Sequence, residues 1–162
     1  MRIDDRERRE WELLIGKAIS SFAEIELITY HFLRNIPRDD IFRTASGLPF
    51  ARRVDLILGI LGGLEDLPDV GKQFQENLRK AVNLAEVRNL IAHNPTMLDV
   101  YEHKTSGALH FERTIRAIRK QQKFLDLKGL REHTADVETL ASDLWKNIGK
   151  LIEWHETRRL SR

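Results

Sequence analysis

The sequence predicts a mainly α-helical protein, an antiparallel four-helix bundle with a small β-hairpin or sheet inserted between the third and fourth helices. Three observations predict it. Long stretches on both sides of the middle repeat apolar residues with helical period. Prolines and paired glycines cut those stretches at short loops. One segment after Pro95 changes character, to β-branched and aromatic-rich runs around a turn. At 162 residues the chain reads as a single domain, 1–162, long enough to bury a core without disulfides or metals.

The first helix is expected from Asp4 to Asn35, because Pro37 pushes the residue before it out of the helical region. Its apolar stripe is Ile15, Ala18, Ile19, Phe22, Ile25, Thr29, Phe32 and Leu33. At about 1.5 Å per residue it spans roughly 45 Å. A loop with Pro37, Asp39, Asp40, Ser46 and Gly47 follows. The second helix starts at Pro49, a residue suited to a first turn, carries Val54, Ile57, Leu58 and Leu61, and ends at Gly62-Gly63. The third runs from Val70 to His93 and stops at Asn94-Pro95.

The β insertion occupies about 96–125. Met97–Glu102 and Ala108–Thr114 are its strands, joined by Lys104-Thr105-Ser106-Gly107, with room for a third strand near Ile115 to Phe124. The fourth helix covers Leu127 to Arg158, with Val137, Leu140, Ala141, Leu144, Trp145, Ile148, Leu151 and Ile152 as its buried stripe. There is no internal repeat, low-complexity tract or interdomain linker.

Composition narrows the function. An apolar share of 41% and a charged share of 32% suit amphipathic helices with solvated outer faces. The absence of cysteine excludes a disulfide framework, a thiolate metal site and a cysteine nucleophile. No P-loop, G-x-G-x-x-G, G-x-S-x-G or H-E-x-x-H motif occurs, so neither a metal nor a cofactor is implied. No apolar run has the length of a membrane span, and Met1 to Arg9 is charged rather than signal-like, so a cytoplasmic protein with no membrane partner is expected.

The net charge of +2 does not announce nucleic-acid binding, but its distribution is uneven. Between Lys104 and Phe124 lie Lys104, Arg113, Arg116, Arg119, Lys120 and Lys123 against one acid, Glu112. Arg113, Arg116, Arg119, Lys120 and Lys123 are therefore candidate RNA-backbone contacts. The alternative is a set of solvated cations that only keeps a sheet edge soluble.

The sharpest anomaly is on the third helix. With Arg88 placed at zero on a helical wheel, Ala81, Leu84, Ala85, Ile91 and Ala92 all fall within roughly 60° of it. A guanidinium cannot shed its proton to escape burial, so it needs an anionic partner or a wet cleft. On the first helix Glu26 lies on the apolar stripe between Phe22 and Thr29, equally out of place, whereas Glu24 points away. Glu26 is thus the expected partner of Arg88, either orienting it for chemistry or forming a purely structural pair. Asn89 and His93 are four apart and neighbour each other on one flank of the same helix. His93 sits in the last turn, where the helix dipole favours a cation, and an imidazole can donate or accept a proton near neutrality. Capping of the helix before Pro95 is the simpler role for such a histidine taken alone.

The segment Glu86-Val87-Arg88-Asn89-Leu90-Ile91-Ala92-His93-Asn94-Pro95 resembles the signature of the HEPN superfamily, an arginine followed four to six residues later by histidine. In that family the residue after the arginine is typically polar and the motif ends a late bundle helix. Only His93 of the six histidines has an arginine at this spacing. The resemblance covers residues 4–93 and about 127–158, leaving the β insertion outside. It implies a homodimer in which two such helices bring both copies of Arg88, Asn89 and His93 to one cleft. It also implies metal-independent endoribonuclease activity, a toxin or defence role, and in some cases an antitoxin partner. Other members of the family have lost activity and bind nucleotides or RNA, or act as protein-interaction modules.

The chemistry is coherent with those residues. A 2′-hydroxyl attacks the adjacent phosphorus, which needs proton transfer and charge stabilisation. His93 serves as acid or base, Arg88 holds the phosphorane oxygens, and Asn89 orients a phosphate or the imidazole. Among weaker signals, His103 and His110 flank the hairpin turn near Tyr101, where a base-stacking or metal-binding pair is conceivable, but they read rather as a solvent-facing cross-strand pair. Trp145 reads as core, and Trp154 as an interface or helix-contact residue.

Overall fold

The computed structural model describes residues 5–37, 41–118 and 123–161. It is mainly helical: α1 (Asp5–Asn35), α2 (Ile41–Ala45), α3 (Phe50–Gly62), α4 (Asp69–His93) and α5 (Leu127–Leu160). A small antiparallel sheet, β1 (Thr96–Glu102), β2 (Leu109–Arg116) and β3 (Phe124–Leu125), lies between α4 and α5 in the order β1-β2-β3. The long helix α5 packs along both α1 and α4, and α3 packs against α4 and α1.

The stripes read from the sequence form the core. Phe22, Ile25, Ile28, Phe32 and Leu33 of α1 meet Val54, Ile57 and Leu61 of α3, Phe74, Leu78 and Ala81 of α4, and Val137, Leu144 and Leu151 of α5. Phe32 and Phe74 stack with ring centres 5.8 Å apart, and Phe22 meets Phe50 edge-on at 5.1 Å. Each fully buried aromatic of this kind contributes roughly 1.5–3 kcal/mol by leaving water. A second, smaller cluster of Trp11, Ala18, Ile91, Ile115 and Leu130 fastens the sheet to the helices through Ile115 of β2.

Boundaries differ from the sequence expectation in four places. The segment read as a loop after Pro37 contains α2, whose Ile41, Phe42 and Ala45 pack on the core. At five residues it is too short to display a period. Pro49 is the residue before α3 rather than its first member, with extended backbone (φ −55°, ψ 150°). The second strand begins at Leu109 and continues to Arg116, because Ile115 is buried in the second cluster and pairs with Leu125. The third strand is only Phe124–Leu125.

Three local devices fix the ends. Gly107 takes φ +66° in the hairpin turn, a conformation that a side chain resists, and its N–H donates to His103 O (2.9 Å). Asp126 caps α5, its Oδ1 accepting from Gly129 N at 2.7 Å. Asn94, held extended before Pro95, donates from Nδ2 to Leu90 O (2.9 Å) and accepts at Oδ1 from Ile118 N (3.3 Å), tying the end of α4 to the chain beyond β2. No helix among the described residues is long and apolar enough to cross a membrane.

Candidate active site

The site grows from α1. Phe22, Ile25 and Thr29 are buried along its inner face, and Glu26 stands among them with its side chain 26% exposed. Across the seam, α4 presents Arg88, also 26% exposed. Arg88 Nη2 donates to Glu26 Oε1, joining the two residues that the wheel had singled out. Arg88 Nη1 donates to Asn89 Oδ1 (3.0 Å), and the guanidinium lies over the Phe22 ring, 4.8 Å from its centre. Two of its five N–H donors are thus engaged, and an aromatic face supports its cation from below.

Arg88 is not at the middle of a dry face. Ala81 and Ile91 are buried, but Leu84 and Ala85 are half-buried and Ala92 is exposed. Arg88 therefore lines a cleft of about 480 Å³ between α1, α3 and α4, together with Glu26, Phe50, Val82, Ala85 and Asn89. It has both an anionic partner, Glu26, and an open cleft, either of which answers the cost of burying a guanidinium.

His93 stands exposed in the last turn of α4 and does not line this cleft. Within one copy of the chain, Arg88 and Asn89 share the cleft while the imidazole lies outside it. The motif's three residues are on one helix but not in one pocket.

Behind Glu26 lies a residue that the sequence reading passed over. Arg53 of α3 is buried, its side chain only 4% exposed. Its Nε donates to Thr29 Oγ1 (3.1 Å), its Nη1 donates to Leu48 O (2.7 Å), and its Nη2 sits 3.5 Å from Glu26 Oε2. The Tyr30 ring lies 4.2 Å from its guanidinium carbon. The signal was available: Arg53, Ile57 and Leu61 are four apart in succession and share one helical face, so the test that marked Arg88 also marks Arg53.

Among the described residues, the basic side chains of the insertion do not form one stripe. Arg113 and Arg116 are three apart on β2 and point to opposite faces of the sheet. Arg116 donates from Nη2 to Asp99 Oδ2 (2.7 Å), and its guanidinium carbon lies 5.3 Å from the Phe124 ring centre. Hydrogen bonds from Thr114 and Arg116 hold the Asp99 carboxyl below the usual carboxylate range. Lys123 reaches Glu86 Oε2 at 3.2 Å. Arg119 and Lys120 lie outside the described residues. His103 and His110 are exposed, His110 directly opposite Tyr101. Trp145 is half-buried, edge-on to His31 at 5.2 Å, and Trp154 packs beside the core with Arg158 5.6 Å from its ring.

No family description, curated protein or solved structure matches this chain.

Proposed function

We propose that this chain is a metal-independent endoribonuclease of HEPN type that works as a homodimer, with α1, α3, α4 and α5 as the four helices of the bundle. The observation that carries the reading is the Arg88 guanidinium on the cleft wall, held by Glu26 and adjoining Asn89, on the helix that presents His93 at its end. An arginine fixed by a carboxylate is a prepositioned donor for a phosphate oxygen.

A second copy meeting α4 along its exposed flank (Asn89, Ala92 and His93) brings an imidazole toward the partner's Arg88 cleft. In that arrangement His93 takes the proton of the 2′-hydroxyl as the P–O2′ bond forms, or gives a proton to the 5′-oxygen as the P–O5′ bond breaks, and Arg88 stabilises the charge that develops on the phosphorane. A toxin or defence role, and a partner that restrains it, belong to the same reading.

The test is RNA cleavage in excess EDTA, with the oligomeric state followed by sedimentation velocity. A dimer that cuts RNA, and loses on the order of 100-fold in rate with Arg88→Lys, supports the reading. A folded dimer inert on every RNA removes it. One observation favours a binding module instead: the phosphate-binding candidates Arg88 and Asn89 share a cleft that His93 does not line. Nucleotide-dependent thermal stabilisation without cleavage identifies that case.

A further inference from the structure

We infer that Arg53 sets the charge of the Arg88 cleft: by neutralising Glu26 from the interior, it leaves Arg88 with a positive charge available to a phosphate. The inference rests on the reading of that cleft as a phosphate-handling centre.

If Glu26 faced Arg88 alone, the pair would be neutral and an incoming phosphate would have to compete with the carboxylate. Instead the carboxylate is divided. Its Oε1 accepts from Arg88 and its Oε2 faces Arg53 Nη2 at 3.5 Å. Among the described residues, Glu26 is the one carboxylate within ion-pair range of Arg53. Arg53 is 4% exposed, its Nη2 makes no hydrogen bond among the described residues, and its hydrogen-bond acceptors, Thr29 Oγ1 and Leu48 O, and the neighbouring Tyr30 and Phe50 rings carry no charge. Two guanidiniums and one carboxylate sum to +1, and the partner that water and ligands reach is Arg88, on the cleft wall. At the rim, Glu86 faces the cleft but is paired with Lys123, so those two charges cancel.

Arg53 thus acts through Glu26 without touching the ligand. It is a positioning residue, and in a partly buried charge triad of this kind the charge left to the cleft follows the sum rather than the identity of one member. Charge arithmetic then predicts a pattern that a merely structural arginine does not produce. Arg53→Met makes the sum zero and weakens phosphate binding. Glu26→Gln added to Arg53→Met restores +1 and rescues it. Arg53→Lys keeps the sum and retains binding. Glu26→Gln alone gives +2 and tightens it.

The experiment measures pyrophosphate affinity by calorimetry for the full chain and these variants, at fixed ionic strength and with folding checked by circular dichroism. The same series is repeated with a short single-stranded oligodeoxynucleotide, which lacks the 2′-hydroxyl and is not cut. Arg53→Met is expected to lose on the order of tenfold, the effect of one unit charge removed from a partly wet cleft, with recovery in the double variant. Pyrophosphate binding without oligonucleotide binding identifies a free phosphate as the ligand; binding of both identifies a nucleic-acid phosphate.

Wild type that binds neither probe overturns the inference, as does equal affinity in Arg53→Met and wild type. If Arg53→Met does not fold, Glu26→Gln decides: unchanged affinity there overturns it. The two readings fail separately. RNA cleavage that is indifferent to Arg53 substitution leaves the nuclease and removes the role of Arg53. The charge pattern seen with pyrophosphate, without RNA cleavage, does the reverse.

Discussion

The Arg88 guanidinium of α4 donates to the Glu26 carboxylate of α1 across the seam between the two helices, and both side chains are one-quarter exposed. The pair is neither a surface ion pair nor a sealed one, and Glu26 has a second cation, Arg53, behind it. The two ends of the pair therefore differ in how much depends on them.

Glu26→Gln is predicted to cost more stability than Arg88→Met. Removing the carboxylate leaves two guanidiniums without an anion, one of them buried, at a cost of about 3 kcal/mol. Removing Arg88 leaves Glu26 paired with Arg53, at a cost of about 1 kcal/mol or less. Urea unfolding of the two variants gives the order directly. The opposite order means that Arg53 does not support Glu26 in solution.

Asp126→Ala is predicted to destabilise the protein by about 1 kcal/mol, because the first turn of α5 loses the acceptor for Gly129 N. Asp126→Asn keeps an acceptor and loses less. Equal midpoints for all three proteins in chemical denaturation would contradict the capping role.

Acidification should destabilise the protein partly through His133. Its imidazole is buried in α5, and neither ring nitrogen has a partner among the described residues. Burial pushes its pKa down from the usual 6.5, with Asp136 opposing. In the interval below that value the unfolded chain binds the proton and the folded chain does not, so stability rises with pH there and falls as pH drops. The melting temperature of wild type, measured from about pH 7.5 down to about pH 5, is expected to fall more than that of His133→Leu. Parallel curves would show that His133 is not the group responsible.

The helices were legible because their stripes are long. Phe22, Ile25 and Phe32 on α1, and Val137, Leu144 and Leu151 on α5, repeat over enough turns for period 3.6 to stand out. α2 was not, since five residues contain barely one period and its apolar residues looked like loop. The extension of β2 to Arg116 depended on Ile115 finding Leu125 and Leu130, a long-range contact that local pattern does not encode.

The candidate site divides in the same way. Arg88 and Glu26 betrayed themselves as charges on apolar faces, and the structure pairs them. Arg53 carried the same mark at the start of a shorter helix, where fewer apolar neighbours define the face. The position of His93 outside the cleft was hidden, because a motif gives spacing along a helix but not which residues share a pocket with another helix. In the basic stretch, Arg116 is engaged by Asp99 of the neighbouring strand, a contact between residues 17 apart that local pattern does not encode.

The most direct test of the central claim compares wild type with His93→Ala on labelled single-stranded and structured RNA, in excess EDTA, and reads the chemistry of the product ends. Cleavage by wild type alone is expected, leaving a 2′,3′-cyclic phosphate on one fragment and a 5′-hydroxyl on the other, with the all-deoxy version of the same sequence untouched. Equal cleavage by His93→Ala, or none by folded, dimeric wild type, would contradict it.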